Sequence, residues 1–306
     1  MPIPLGCAGH LRLVKSAGHR ESAHRWRAKE VRVWGDARQA KADTWTPVLQ
    51  ENSGRSLSAP QRWLCAVTDV GRLRAINEDT FLLSRSGGLW IVADGMGGHA
   101  AGEVASTLTV EAIAGAIDTM YGSAASAGPA VHRARLLEAF AYASTVVFSR
   151  GLANKECEGM GSTAIAGLMS GEALHLCHVG DARGYHLSKG KFRRVTNDHS
   201  LVWQLVLSGL LNPEQARLHP HRGRVTQAIG MQSVRPEVNT LMLKPSDRVL
   251  LCSDGLWEAL PEPEIGEIVA SSGSMLELAS MLVDRAKAES GKDNITAILY
   301  EHRARP

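Results

Sequence analysis

The sequence predicts an α+β fold in which antiparallel sheet is covered by pairs of helices. Two short apolar segments, 163–169 and 173–179, are joined at Ser170-Gly171. Adjacent strands with so short a connection indicate antiparallel pairing rather than βαβ repeats. Apolar residues recur at helical spacing in four further segments, which form two consecutive pairs. The four segments are 103–120 and 131–154, followed by 262–271 and 274–290.

The first strand and its turn are predicted at 63–71, WLCAVTDVG. The Gly, Ser and Pro residues of 54–60 indicate a linker before this strand. Glu78 and Asp79 precede a second apolar strand, TFLL. In an exposed turn these carboxylates would only be solvated, and Arg74, four residues before Glu78, would form a weak surface ion pair with it.

The third strand is the apolar run LWIVA at 89–93, which is closed by the turn residues Asp94 and Gly95. Three more glycines follow before Glu103, where the helical pattern begins. Glycine lets the backbone approach a ligand without a Cβ atom in the way. A single Asp-Gly pair usually marks only a turn, so its meaning depends on whether the pattern recurs.

The same pattern recurs at the ends of two later strands. The strand ALHLCHV runs into Asp181, and the strand RVLLC runs into Asp254. Asp293 stands just before the last predicted strand, 295–300. Oxygen-rich clusters of this kind suit Mg²⁺ and Mn²⁺, whereas zinc needs His or Cys at characteristic spacings that the sequence lacks. We therefore expect a carboxylate-bound divalent cation where these strands end.

Segment 197–230 interrupts the strands with a short helix, an Asn-Pro helix start and a basic cluster of His and Arg residues. Such an excursion is a candidate for a flap that faces the substrate, because functional residues concentrate in loops. A helical cap with solvated charges explains the same residues equally well. Strands are predicted again at 239–243 and 248–252.

Composition and charge divide the chain into an extension and one domain. Of 306 residues, 44% are hydrophobic, enough for a substantial core. Residues 1–62 contain 11 Lys and Arg against 5 Asp and Glu, and we interpret 1–60 as a flexible, basic N-terminal extension. The five cysteines form no CxxC pair, which indicates thiols in a reducing compartment. Since no signal-peptide or membrane-spanning run is recognisable, we expect a cytoplasmic protein.

Six motifs occur between residues 63 and 300 that are weak singly and specific together. They are RxxxED, DGMGGHAAGE, GSTA, GDAR, SDGLWE and GKDNIT. In this order they resemble the metal-dependent type 2C serine/threonine protein phosphatases (PPM family) of bacterial type. The resemblance implies a four-layer α/β/β/α sandwich, with two antiparallel sheets flanked by antiparallel helices, and a phosphatase domain at 61–302.

The resemblance also implies a binding role for each matched acidic residue. Asp94 would bridge two Mg²⁺ or Mn²⁺ ions. Asp254 and Asp293 would hold one of the ions, and Glu78 and the backbone carbonyl of Gly95 would hold the other. The metal centre would therefore be built almost wholly from carboxylate oxygens.

Further roles follow for residues around the two ions. Asp79 would orient a metal-bound water, Asp181 would help to bind a third, weaker ion, and Arg74 would grip the phosphate. A planar guanidinium suits that last role better than a point charge does. His99 is a candidate general acid, although it would equally brace the glycine loop. The catalytic group would comprise Arg74, Asp94 and Asp254.

The implied reaction is hydrolysis of phosphoserine and phosphothreonine in proteins by a water bridged between two metal ions, without a covalent phosphoenzyme. The sequence departs from the family pattern in two places. It has GDAR where relatives often have GDSR, and in the flap Gly223 and Gln227 stand where relatives often carry Asn and Arg. These differences bear on flap conformation and substrate preference and leave the metal centre intact.

Three alternatives stay open on the sequence alone. A non-catalytic pseudophosphatase acting as a regulatory binding module is one, but clustered carboxylates repel one another without a cation, which argues against it. A hydrolase of small phosphoesters is the second, and a nucleic-acid-binding protein using the basic extension is the third. As partners we expect phosphorylated proteins and an opposing kinase, with no nucleic acid, no membrane and a monomeric state.

Overall fold

A computed structural model of the chain describes residues 49–50, 55–61, 63–84, 88–97, 101–121 and 128–303. Its strands are β1 Leu49–Gln50, β2 Arg55–Gln61, β3 Leu64–Asp69, β4 Asp79–Leu83, β5 Leu89–Met96, β6 Gly161–Ser170, β7 Ala173–Val179, β8 Arg183–Ser188, β9 Lys191–Arg194, β10 Glu237–Met242, β11 Arg248–Cys252 and β12 Ile295–Glu301. Its α-helices are α1 Ala101–Tyr121, α2 Pro129–Ala153, α3 Leu201–Leu207, α4 Pro213–Leu218, α5 Asp254–Trp257, α6 Glu262–Ala270 and α7 Met275–Glu289.

The strands form two sheets in which every neighbouring pair is antiparallel, as predicted. One sheet has the order β1-β2-β3-β12-β11-β8-β9, and the other has the order β10-β7-β6-β5-β4. Strands β6 and β7 form the predicted hairpin. The acidic residues at the strand ends are divided between the two sheets. The site can therefore form only where the two sheets come together.

Three apolar layers hold the sandwich together and confirm the four-layer architecture. Helices α1 and α2 cover the five-stranded sheet, and α5 to α7 cover the seven-stranded sheet. Between the sheets, Trp90 packs against Tyr300 with ring centroids 4.4 Å apart. Strands such as β3 and β7 are buried along their whole length, because sheet packs on one face and helices or the other sheet on the opposite face.

The structure corrects the prediction of a linker at 54–60. Residues 55–61 form β2, which pairs with β3 at the edge of the larger sheet. The Gly, Ser and Pro content that suggested a linker did not prevent strand pairing there. Residues 1–48 lie outside the described residues, so the flexible extension remains a prediction for that part.

The segment predicted as a flap leaves the sheet after β9 and carries α3 and α4. The Asn-Pro helix start is confirmed at α4, where Asn212 and Gln215 form a reciprocal capping box. Four cysteines are free and buried, at 65, 157, 177 and 252, and Cys7 lies outside the described residues. Among the helices described, none has both the length and the apolar character needed to cross a membrane.

Candidate metal centre

All seven sequence-predicted site residues line one cleft of about 450 Å³. The strand ends bring them there from both sheets. These residues are Arg74, Glu78, Asp94, Gly95, Asp181, Asp254 and Asp293. The chain therefore gathers six charged side chains and one backbone segment that are separated by up to 219 positions in sequence.

Two aspartates on the smaller sheet stand side by side. Asp79 begins β4 and pairs in register with Asp94 near the end of β5. Asp79 Oδ2 accepts hydrogen bonds from Ser253 Oγ at 2.7 Å and Thr296 Oγ1 at 2.6 Å. Since both donors belong to the larger sheet or its connections, these bonds tie the two sheets together at the cleft.

Asn294, whose role is not predictable from the sequence alone, positions Glu78. Its side-chain oxygen accepts a hydrogen bond from the Glu78 N–H at 2.8 Å. Its amide nitrogen donates to the backbone carbonyls of Val70 and Ile76 at 3.0 Å. The motif KDN therefore supplies Asp293 to the cleft and uses the next residue to fix the loop that carries Glu78.

Two glycines allow the start of α1 to approach the end of β5. A Cβ atom on Gly102 would collide with Glu78 Oε1 and lie 2.9 Å from the Gly95 carbonyl oxygen. A Cβ atom on Gly95 would in turn collide with the Gly102 carbonyl. The Glu78 carboxylate and the Gly95 carbonyl therefore flank the same glycine, and close approach explains why neither position carries a side chain.

Burial of so many carboxylates makes their charged forms costly. Burial, followed by the neighbouring carboxylates, raises the pKa of Asp94 and of Asp254 well above the ordinary range. Burial raises the pKa of Asp79 and of Asp181 to about 7, and burial likewise raises the pKa of Glu78. Without a counter-charge, Asp79 and Asp181 would therefore be partly protonated at neutral pH.

Three carboxylate oxygens in this group are buried and have no hydrogen-bond partner within the described residues. They are Glu78 Oε1, Asp79 Oδ1 and Asp254 Oδ1. Unpaired buried oxygens are costly, and an oxygen-only donor set is what Mg²⁺ and Mn²⁺ prefer. The residues present therefore fit divalent cations of this class.

We predict that the metal-free protein loses stability as pH rises. A carboxyl whose folded pKa is raised contributes stability that is complete below its unfolded pKa of about 4, and this contribution is lost as pH passes the folded value. For Asp79 and Asp181 the loss begins near pH 4 and is nearly complete once the pH has passed about 7. A bound cation replaces the protons, so the melting temperature in Mn²⁺ should exceed that in EDTA by a margin that widens from pH 5.5 to 8.

Thermal unfolding at constant ionic strength measures this margin directly. Buried histidines, such as His178 with its lowered pKa, act in the opposite direction but equally in both samples, so the comparison cancels them. A margin that is constant or shrinks with pH would show that the cleft carboxyls do not bear the predicted protons.

Arg74 is the cation already present at the mouth of the cleft. It donates to Asp293 Oδ2 at 2.7 Å and to Glu78 Oε2 at 3.4 Å, and 45% of its side chain is exposed. Burial opposes its charge, but Asp293 and Glu78 more than compensate and raise its pKa. Arg74 is therefore anchored at two points while its guanidinium faces the cavity.

A second arginine lies on the flap side of the same cleft. Arg222 pairs with Glu258 at 3.1 Å between Nε and Oε2, and both residues line the cavity. No local sequence pattern predicts a role for either residue. Glu258 was visible in the motif SDGLWE and Arg222 in the basic cluster of the flap, but only the fold shows that they meet.

The loop with the GDAR motif is supported by the stacking of Arg183 on Trp257. Arg183 lies over the Trp257 ring at 3.5 Å and pairs with Asp198 at 2.6 Å. Trp257 Nε1 donates to the Asp181 backbone carbonyl at 3.0 Å. Asp181 thus faces the cleft, whereas Arg183 supports the loop.

The remaining predictions concern the flap and the glycine loop. A Cβ atom at Gly223 would meet nothing within 4 Å, so the backbone there has room for a side chain. Gln227 Oε1 accepts a hydrogen bond from the Arg235 N–H at 3.0 Å. His99, the candidate general acid, lies outside the described residues and remains a prediction.

The sequence of this chain is similar to those of known protein phosphatases. A family model described as Protein phosphatase 2C matches residues 72–299. The serine/threonine phosphatase stp of Listeria monocytogenes is 35% identical over 239 residues, which cover 76% of this chain and 93% of that protein. The Mycobacterium tuberculosis phosphatase PstP is 36% identical over 236 residues, which cover 77% of this chain and 44% of that protein.

Solved structures agree with the architecture. The crystal structure of M. tuberculosis PstP/Ppp superposes with a TM-score of 0.70 at 33% identity, covering 81% of this chain and 99% of that one. The PstP catalytic domain in complex with two manganese ions gives a TM-score of 0.69 at 32% identity, covering 82% of this chain and all of that one.

Proposed function

The chain belongs to the protein phosphatase 2C family and is a Mn²⁺- or Mg²⁺-dependent serine/threonine phosphatase, and we propose that the seven residues of the carboxylate cleft carry its reaction. The observation that carries this proposal is the convergence of buried carboxylates with unpaired oxygens beside Arg74. A regulatory module without catalysis would gain nothing from so costly a cluster.

We assign the metal-holding roles as follows. Asp94 would contact both ions, Asp254 and Asp293 would hold one, and Glu78 with the Gly95 carbonyl would hold the other. The position of Asp94 among Asp79, Asp254 and Asp293, whose charges all act on it, supports the bridging role. When bound, the ions supply a water of lowered pKa and neutralise charge on the phosphoryl oxygens.

The other roles belong to residues around that centre. Asp79, fixed by Ser253 and Thr296 through one oxygen, keeps its second oxygen free to orient water. Asp181, held through its backbone by Trp257, would help to bind a third ion. Asp79 is positioned by bonds that leave one of its carboxylate oxygens unpaired, so this part of the cleft is preorganised before substrate arrives.

We expect Arg74 to grip the phosphate, because its guanidinium faces the cavity while Asp293 and Glu78 anchor it. Arg74→Ala should lower kcat/KM for a phosphopeptide by at least about tenfold, in line with loss of a charge-assisted hydrogen bond. Arg74→Lys should recover only part of the loss, since a point charge cannot form the planar fork.

Steady-state kinetics on both variants test this role, with Arg303→Ala as the matched control. Arg303 is exposed and pairs only with Glu301 among the described residues, so its removal should leave kcat/KM unchanged. Wild-type kinetics in Arg74→Ala would contradict phosphate binding by Arg74.

Phosphate release from a phosphothreonine peptide tests the proposed site as a whole. We expect turnover in Mn²⁺, none in EDTA, and none in Asp254→Ala, with a phosphotyrosine peptide as the poorer substrate. Turnover by the Asp254→Ala variant would show that the carboxylate cleft does not carry the reaction.

We also propose the cellular setting and the domain boundary. Residues 61–302 form the phosphatase domain, to whose edge β2 adds a strand, and residues 1–60 provide a basic extension. The enzyme acts as a cytoplasmic monomer in signalling, on phosphoproteins made by an opposing kinase. Four free, buried thiols support a reducing compartment.

A further inference from the structure

Three residues with metal-binding side chains meet outside the carboxylate cleft. One ligand atom from each of His178, His199 and Glu237 lies within 4.8 Å of the others. His178 on β7 and Glu237 on β10 are cross-strand partners in register, and His199 precedes α3 at the start of the flap segment. None of the three lines the cleft, so this histidine cluster is a separate feature.

His178 is held in the tautomer that a metal requires. Its Nε2 lies 2.7 Å from the Asn197 backbone carbonyl, and since a carbonyl only accepts, Nε2 carries the proton. Nδ1 therefore has a lone pair, is buried, and has no hydrogen-bond partner within the part of the chain that the structure describes. Metal-bound histidines commonly donate their other nitrogen to a backbone carbonyl in this way.

His199 and Glu237 supply the other two donors. His199 Nε2 lies 3.4 Å from Glu237 Oε1, close to the roughly 3.3–3.4 Å that separates two ligands of a tetrahedral zinc with bonds of about 2.0–2.1 Å. The rings of His178 and His199 have centroids 4.7 Å apart. The Glu237 side chain is 49% exposed, so it can adjust and leave a fourth position to water.

Two existing contacts of His199 oppose metal binding. The Gly180 N–H lies 3.3 Å from His199 Nδ1 and donates to it. When Nε2 binds a cation, Nδ1 must carry the proton, so this long hydrogen bond is lost. Because Nδ1 accepts this bond, Nε2 of the metal-free ring carries the proton that faces Glu237 Oε1 at 3.4 Å, and a cation displaces that proton as well. The cost is two long contacts, set against relief of the unpaired nitrogen of His178.

We propose that His178 Nδ1, His199 Nε2 and the Glu237 carboxylate form a Zn²⁺ site that is distinct from the phosphatase centre. Two imidazoles and a carboxylate suit zinc, whereas the all-oxygen cleft suits Mg²⁺ and Mn²⁺.

The site would clamp the base of the flap segment. The His199 N–H donates to the Gly180 carbonyl at 2.9 Å, and its own carbonyl accepts from the Thr226 N–H at 2.7 Å. A cation at His199 would thus tie the outgoing and returning ends of the flap segment to β7 and β10.

Co²⁺ spectroscopy on the full chain tests the proposal. With Mg²⁺ in excess to occupy the oxygen cleft, Co²⁺ is added and the visible absorption is recorded. A tetrahedral nitrogen-containing site gives an intense band, whereas octahedral oxygen coordination gives a weak one. We expect the intense band to saturate at one equivalent of Co²⁺ per chain and to disappear when Zn²⁺ displaces Co²⁺. We also expect Zn²⁺ to raise the melting temperature.

Four variants test which residues bind the Co²⁺ ion that gives the intense band. Glu237→Gln and His199→Gln should weaken Co²⁺ binding at least about tenfold, as loss of a ligand would. Glu214→Gln, an exposed change on α4, and Asp94→Ala, which disrupts the phosphatase centre, should both keep the band. No band in the wild type, or a band that survives both cluster substitutions, would overturn the proposal and leave the cluster as a hydrogen-bonded group.

Discussion

Asp94→Asn is expected to abolish metal-dependent phosphate release and, at the same time, to raise the melting temperature of the metal-free protein. Activity should fall by at least about 1,000-fold, roughly 4 kcal/mol of transition-state stabilisation, because an amide cannot bridge two cations. The metal-free protein should gain stability because desolvation of the Asp94 carboxyl group, followed by the charges of the neighbouring acids, holds its pKa well above the usual range. The amide has nearly the same shape and no charge to bury.

The two effects are measured by phosphopeptide turnover in Mn²⁺ and by thermal unfolding in EDTA. Asp118→Asn is the matched control, since Asp118 lies on α1 and is exposed, and neither property should change. An active variant, or one that melts below the wild type in EDTA, would contradict the view that function at this cleft opposes stability.

Gly102→Ala should lower activity by about 100-fold, because displacing a catalytic group by about 1 Å is enough to do so. The added Cβ atom would occupy the place of the Glu78 carboxylate and crowd the Gly95 carbonyl. The loss should appear as weaker Mn²⁺ binding with the fold retained, which titration and circular dichroism would separate.

The same helix provides the control. Gly115 also lies in α1, and a Cβ atom there would meet nothing within 4 Å. Gly115→Ala should therefore keep full activity and stabilise the protein by about 0.5–1 kcal/mol. If both variants lost the same activity, the loss would come from a change in the helix and not from displacement of the Glu78 carboxylate.

The sequence predicted those elements whose signal is local. The strand that ends at Asp94, the hairpin of β6 and β7 and the long helices all have clear periodicity or turn residues. Strand β9, KFRR, was missed because it is short, charged and partly exposed at a sheet edge. Strand β2 was missed because Gly, Ser and Pro indicate loops more often than strands.

The sequence predicts those site residues that stand at the ends of strands. It does not predict those that come together only through contacts between distant parts of the chain. Asn294, Arg222 and Glu258 act through contacts with residues far away in the chain. His178 and Glu237 are separated by 59 positions and become neighbours only because β7 pairs with β10. The histidine cluster therefore has no motif spacing in the sequence that would indicate a zinc site.

Anomalous diffraction at the manganese edge, on crystals equilibrated with Mn²⁺, tests the central claim most directly. We expect two strong peaks in the cleft, both in contact with Asp94, one next to Asp254 and Asp293 and the other next to Glu78 and the Gly95 carbonyl. A cleft without peaks, in crystals of an enzyme that turns over phosphopeptide in Mn²⁺, would contradict it.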